Sequence, residues 1–213
     1  MALNVLFKDR LDAGKKLAKA LGQFKDVDGI VLGIPRGGIV VASEIANFLE
    51  FRLDIVIPRK LGAPDQPELA IGAISEDGTV LMNFDVIRRV GATEAYIKEE
   101  SARQLTEIAR RASAYRVGRS AIPLQDEDII LVDDGVATGA TLKAAITYVK
   151  NQNPRNLTVA IPVSPIQTIR ELRAEVDVIC LSSPEIFYAI GAFYSDFKQI
   201  TDEEVIMHLQ KKR

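Results

Sequence analysis

The sequence predicts an α/β fold: a doubly wound, mainly parallel sheet of about five strands with flanking helices. Three observations carry that reading. Short apolar runs at 29–34, 53–57, 129–132, 157–163 and 176–181 suit strands buried in a sheet. Apolar residues at helical spacing follow several of these runs, as alternating strands and helices require. Two of the runs pass into small-residue loops that open a helix, Pro35-Arg36-Gly37-Gly38 and the stretch 135–141. Open α/β sheets bind ligands at the carboxyl ends of their strands, where such loops fall.

Taken in order, Leu11, Leu17, Ala18 and Leu21 trace one face of an N-terminal helix. Asp9 is placed to cap it, Gly14 slightly weakens it, and Lys15, Lys16 and Lys19 form a solvated face. The first strand leads through Pro35–Gly38 into a helix carrying Ile39, Val40, Ala42, Ile45, Ala46 and Leu49. The strand 53–57 ends in Pro58-Arg59-Lys60. Residues 61–81 leave this rhythm: Gly62, Pro64 and Pro67 interrupt structure, 69–74 is strand-like, and Asp77-Gly78 makes a hairpin turn before 79–82. Residues 93–115 form a long helix with Ile97, Leu105, Ile108, Ala109 and Ala112 on one stripe. After the central strand, Leu142, Ala145, Ile146 and Val149 mark another helix. The last two strands flank a short helix capped by Ser164-Pro165, and Thr201 with Glu204 makes a capping box for the final helix.

Composition narrows the function. A chain of 213 residues, 47% hydrophobic and 26% charged, is long enough to bury a core as a single domain. Net charge −2 argues against a broad DNA footprint. The single Cys180 cannot form an internal disulfide and reads as a buried structural thiol. The lone His208 reads as a surface residue, which removes His-based metal sites and Ser-His-Asp catalysis. No apolar span of membrane length and no signal peptide is visible, so the expected location is cytoplasmic, away from membranes.

Residues 129–141 read Ile-Ile-Leu-Val-Asp-Asp-Gly-Val-Ala-Thr-Gly-Ala-Thr. Small residues at Ala137, Gly139 and Ala140 let main-chain N–H groups at a helix start face an anion, and Thr138 and Thr141 add hydroxyls. Adjacent Asp133 and Asp134 repel, by roughly 4 kcal/mol at ~4 Å in an effective dielectric near 20. Vicinal sugar hydroxyls, with or without Mg²⁺, relieve that repulsion. A phosphate cradle beside a diol-binding acid pair describes a ribose 5-phosphate site.

This stretch resembles the 5-phosphoribosyl 1-pyrophosphate (PRPP) motif of type I phosphoribosyltransferases. The resemblance implies that Asp133 and Asp134 hold the ribose hydroxyls, with Mg²⁺ met indirectly through those hydroxyls or water. It gives the 5-phosphate to a loop of Gly135, Val136, Ala137, Thr138, Gly139, Ala140 and Thr141. Pro35, Arg36, Gly37 and Gly38 resemble the family's pyrophosphate loop, which often holds a strained or cis peptide, here expected within 34–38. Arg59 and Lys60 resemble the basic pair that meets departing pyrophosphate. Residues 62–82 resemble the flexible hairpin loop that covers the site, bringing Asp65, Glu68, Glu76 or Asp77 rather than a cation, since 61–87 has no Lys or Arg. Residues 184–213 resemble a small hood followed by the last helix, with Glu185, Phe187 and Tyr188 at the acceptor. Arg116 and Arg119, in a Tyr-Arg-x-Gly-Arg run, reach a phosphate, a neighbouring subunit or plain surface.

The implied reaction joins PRPP to a nitrogen acceptor of nucleobase type and releases pyrophosphate. Ala137 stands where hypoxanthine and guanine transferases carry Asp, which disfavours 6-oxopurines and leaves Glu68 or Glu185 for proton chemistry. The alternative is a non-catalytic sensor of PRPP. A homodimer is expected from the family.

Overall fold

The computed structural model describes residues 5–210; residues 1–4 and 211–213 of the expected single 1–213 domain lie outside the described residues. In chain order the elements are α1 (Arg10–Ala20), β1 (Gly29–Gly33), α2 (Gly37–Leu49), β2 (Arg52–Ile55), β3 (Arg59–Ala63), β4 (Gln66–Ile74) and β5 (Val80–Met82). They continue as α3 (Phe84–Val90), α4 (Glu94–Tyr115), β6 (Asp128–Val132), α5 (Ala140–Asn151), β7 (Asn156–Val163), α6 (Ile166–Arg173), β8 (Asp177–Ser182) and α7 (Asp202–Gln210).

The main sheet is five-stranded and parallel, in the order β2-β1-β6-β7-β8. Every residue of β1 and β6 is buried, which explains their unbroken hydrophobicity. Side chains alternate between faces. Val31 and Ile130 join the apolar cluster with α1, α2 and α7, whereas Ile30, Leu32, Ile129 and Leu131 join the one with α5 and α6. A Cβ on Gly14 would sit 2.8 Å from Glu44 Cβ and 3.0 Å from the Val41 carbonyl, so this glycine lets α1 lie close on α2. The Asp9 cap and the Thr201–Glu204 capping box both form.

Residues 59–82 form a second, antiparallel sheet in the order β3-β4-β5. The sequence places a strand at 53–57 and the next strand-like run only at 69–74. Instead β2 stops at Ile55, and a new strand begins directly after Pro58, which has no N–H to donate. The register shifts around Gly62 disguise β3, whose Gly62 carbonyl accepts from Tyr96 Oη at 2.9 Å. The sheet rests on the main domain through Ser75 Oγ, which donates to the Ala144 carbonyl of α5 at 2.8 Å. The short α3 packs Val86, Ile87 and Val90 against the core without burying any residue fully, and seven residues are too few to display a helical period.

Three expectations need correction here. Arg116 and Arg119 are not plain surface residues. Arg116 pairs with Asp54 at 3.1 Å and Glu76 at 2.9 Å, and Arg119 donates to the carbonyls of Leu53 and Leu209. Asp54 is 1% exposed, and a buried carboxylate needs a cation and donors around it, here also the Ile122 N–H. His208 is buried: α7 turns Val205, His208 and Leu209 onto α2, where His208 Nδ1 lies 2.8 Å from Ser43 Oγ. Ser164 does not cap α6; Pro165 holds that position, and the buried Ser164 Oγ has no hydrogen-bond partner among the described residues. Cys180 is half-buried, and burial pushes its thiol pKa up, as suits an unreactive side chain.

Candidate functional site

β1 and β6 are neighbours in the sheet, so the loops leaving their carboxyl ends lie side by side. Two glycines make the approach possible. A Cβ on Gly38 would lie 2.9 Å from Asp133 Cα and from the Val132 carbonyl, and one on Gly37 would fall on the Asp134 carboxylate. The Pro35–Arg36 peptide bond, inside the expected 34–38 segment, is cis.

The loop after β6 is braced from behind. Val136 N–H donates to the Val163 carbonyl at 3.0 Å, and Thr168 Oγ1 of α6 donates to the Ala137 carbonyl at 2.7 Å. Gly139 caps α5 at φ 78°, a conformation that glycine adopts without penalty. The first N–H groups of α5 have no helical acceptor and carry the positive end of the helix dipole, beside exposed Ala137 and Thr138. Ile190 lies over Gly135, leaving no space for a side chain there.

The two acids are not equivalent. Asp134 Oδ2 meets Arg10 Nε at 2.6 Å, with side chains 13% and 9% exposed respectively. Its carbonyl accepts the Tyr194 hydroxyl at 2.5 Å. Asp133 is half-buried; its Oδ1 accepts the Asp134 N–H at 2.8 Å, and it makes no ion pair among the described residues. Burial, reinforced by the Asp134 carboxylate, raises the Asp133 carboxyl well above the usual carboxylate range. Sequence reasoning missed Arg10 and Thr168 and placed Tyr194 only in the hood segment, because their contacts to 134 and 137 span long stretches of chain.

Arg59 and Lys60 also separate. As neighbours on β3 they point to opposite faces: Arg59 Nε donates to Gln104 of α4 at 2.8 Å, whereas Lys60 Nζ holds Glu68 at 2.9 Å. Lys60 shares with Thr138, Ala140, Thr141 and Lys143 a cleft of about 810 Å³ between the antiparallel sheet and the start of α5. Arg36 Nη1 lies 3.8 Å from Asp202, which accepts the Tyr115 hydroxyl at 2.7 Å. Of the expected covering acids, Glu76 is held by the Ile57 N–H and Arg116, and Asp77 by the Thr79 turn. Phe187 stacks on Phe193 at 5.1 Å between ring centroids, Tyr188 is 78% exposed and Glu185 is exposed. No group of three or more His, Cys, Asp or Glu able to hold a metal occurs among the described residues. No described helix is long and apolar enough to cross a membrane.

The family model described as "Phosphoribosyl transferase domain" matches residues 8–198. The chain belongs to the phosphoribosyltransferase family. This phosphoribosyltransferase domain is 42% identical over 207 residues to the Mycobacterium tuberculosis proteins named "Putative phosphoribosyl transferase" MT0597 (strain CDC 1551 / Oshkosh) and Rv0571c (strain ATCC 25618 / H37Rv). Those alignments cover 97% of this chain and 47% of each relative, so the chain spans about half the length of the curated relatives it matches. The crystal structure of TT1426 from Thermus thermophilus superposes with a TM-score of 0.81 at 43% identity, covering 96% of this chain and 97% of that one. The phosphoribosyltransferase fold thus brings together both loops and the acid pair, turns Arg36 toward Asp202, and distributes Arg59 and Lys60 to opposite faces of one strand.

Proposed function

We propose that this phosphoribosyltransferase moves the 5-phosphoribosyl group of PRPP to a nitrogen acceptor, a nucleobase of salvage type, and releases pyrophosphate. The observation that carries the reading is the meeting of a glycine-opened helix start, a half-buried acid and an arginine-bearing glycine loop at adjacent strand ends. On this reading the main-chain N–H groups at 138–141, with Thr138 and Thr141, hold the 5-phosphate. Asp133 receives the ribose hydroxyls and faces the positive charge that grows at the anomeric carbon. Pro35–Gly38 and Arg36 hold pyrophosphate, and Lys60 reaches the same anion from β3. Arg59, the other half of the expected basic pair, faces α4 through Gln104 and reaches the anion only by leaving that partner.

Mg²⁺ fits this donor set, because it is commonly held by one or two carboxylates together with substrate phosphates rather than by an all-protein cage. When bound, it supplies charge neutralisation on the leaving pyrophosphate. Asp133 is the protein group that would meet it, through water or the sugar. Residues 62–82 act as a moving cover, and residues 184–194, with Glu185, Phe187 and Tyr188, take the acceptor. Cytoplasmic residence and a homodimer complete the reading; light scattering measures the second.

The test is pyrophosphate release from PRPP with Mg²⁺ across purines, pyrimidines and small amines. Release that depends on one acceptor is expected. Calorimetry showing no binding of PRPP would overturn the proposal.

A further inference from the structure

We propose that the rear of the molecule carries a second ligand site, a cavity at the far ends of α2 and α7 that takes a small organic carboxylate, its charged group on Arg119 and its apolar body against Phe51, Leu53 and Ile122. This site stands apart from the function proposed above, which leaves Arg119 without a role.

The cavity has a volume of about 350 Å³, near the lower end of the range of ligand sites, roughly 300–1,000 Å³. Its apolar wall is Ala46, Phe51, Leu53, Ile122 and Leu209. Ser43 and His208 stand among them and meet each other: His208 Nδ1 lies 2.8 Å from Ser43 Oγ, which donates to the Val40 carbonyl at 2.9 Å. Asn47, Arg52 and Arg119 complete the lining, so two guanidinium groups border the space, and no Asp or Glu among the described residues does. The place is distinct from the phosphate loop. Arg52 and Leu53 open β2, at the end of the sheet opposite the ligand loops. The stretch of α2 from Gly37 to Asn47 spans about 15 Å at about 1.5 Å per residue.

The two arginines differ in what neutralises them. Arg52 Nη2 pairs with Glu127 at 2.6 Å. The Arg119 side chain, 28% exposed, instead donates from Nη1 to the Leu209 carbonyl at 2.9 Å and from Nη2 to the Leu53 carbonyl at 2.7 Å. Asp54 stands 3.8 Å from it and is already bonded by Arg116 at 3.1 Å and by the Ile122 N–H at 2.9 Å. Arg119 thus receives carbonyl dipoles where its charge calls for a carboxylate, and its two bonds use two of the five guanidinium N–H donors. A partly buried cation without a bonded counter-ion is costly, and an anion in the adjoining cavity removes that cost. The two carbonyls also pin both Nη atoms, so little side-chain freedom is left to lose when a carboxylate binds. A carboxylate on a compact apolar group matches both parts of the lining. A sugar phosphate would set its hydroxyls against Phe51 and Leu53 without partners.

The test is an NMR titration of the full chain with benzoate, with benzamide as its uncharged counterpart and acetate as the charge without the ring. Benzoate is expected to bind one per chain with a Kd below about 1 mM, at least about 10-fold tighter than either control. Arg119→Met keeps the apolar stem and removes the charge, so benzoate is expected to weaken at least about 10-fold while benzamide changes less than about 3-fold. Ile122→Glu leaves Arg119 in place and supplies a carboxylate from the wall itself, with the same split between benzoate and benzamide expected; it decides the matter if Arg119→Met does not fold. A parent that binds benzoate no better than benzamide overturns the site. So does an equal loss of both probes in either variant, which would make Arg119 a prop for the cavity and not the seat of the charge. PRPP with Mg²⁺ is expected to leave the benzoate Kd within about 3-fold; displacement of benzoate would put it at the phosphate loop and overturn the second site.

Discussion

The Tyr115 hydroxyl donates to Asp202 at 2.7 Å, and the same carboxylate lies 3.8 Å from Arg36 Nη1 and 3.9 Å from Arg110. One phenol at the end of α4 thus helps fix the residue that faces the arginine of the β1 loop. Removing the hydroxyl with Tyr115→Phe is expected to cost about 1.5–3 kcal/mol at neutral pH, the usual range for a hydrogen bond to a charged acceptor, measured by chemical denaturation. The pH dependence has a definite sign. Burial, with the bond to Asp202, raises the Tyr115 pKa from 10.0 to about 12. Between those values the unfolded chain has lost a proton that the folded chain keeps, so stability falls as pH rises through this window and levels off above it. Tyr115→Phe removes that limb, and the difference between the two stability curves measures it. None of this was legible beforehand. Tyr115 stands at the end of a predicted helix and Asp202 in the last one, with no local pattern joining them, whereas Asp133, Gly135 and Thr141 were readable because strand, acids and loop are contiguous.

The segment from Tyr115 to Ile122 teaches a related lesson at the scale of an element. A basic run with one glycine looks like surface, yet Arg116 is its most constrained member, with a side chain 10% exposed between Asp54 and Glu76. Arg116 Nη2 also donates to the Ile55 carbonyl at 2.7 Å, so it stitches α4 to the end of β2 and to the turn after β4. Arg116→Met would leave two buried carboxylates facing each other. We expect a loss of about 3–5 kcal/mol, visible as a lower urea midpoint, with partial recovery when Asp54→Asn is added. Elements with their own periodicity were foreseen well: α4 begins after its Thr93 cap and runs to Tyr115, as the apolar stripe indicated. β3 and α3 were not foreseen. The first hides its alternation behind a shift of register at Gly62, and the second is seven residues long and buries none of them fully. His208 was misjudged for a physical reason too, since a polar residue on the inward face of α7 needs a partner there, and Ser43 is one that meets it.

Across the whole molecule the parallel sheet and the antiparallel sheet differ in how firmly they are held. All of β6 is buried, whereas each residue of β5 is only half-buried and pairs on one side with β4. Hydrogen exchange should therefore proceed in β5 and the 75–79 turn at least about 100-fold ahead of Ile129–Val132 amides, reporting local opening rather than global unfolding. Equal protection in both would argue that the small sheet is as rigid as the large one, and against its service as a cover. The contrast has a counterpart in α2. Nine of its residues are buried, α1 and α7 pack on it, and its start carries Gly37 and Gly38 against the acids. A helix walled in on most of its circumference makes an immovable jaw. On the proposed reading the half-buried β5 side of the cleft is what is left to move, so variants meant to slow turnover have their leverage there and not at the glycines they would have to dislodge.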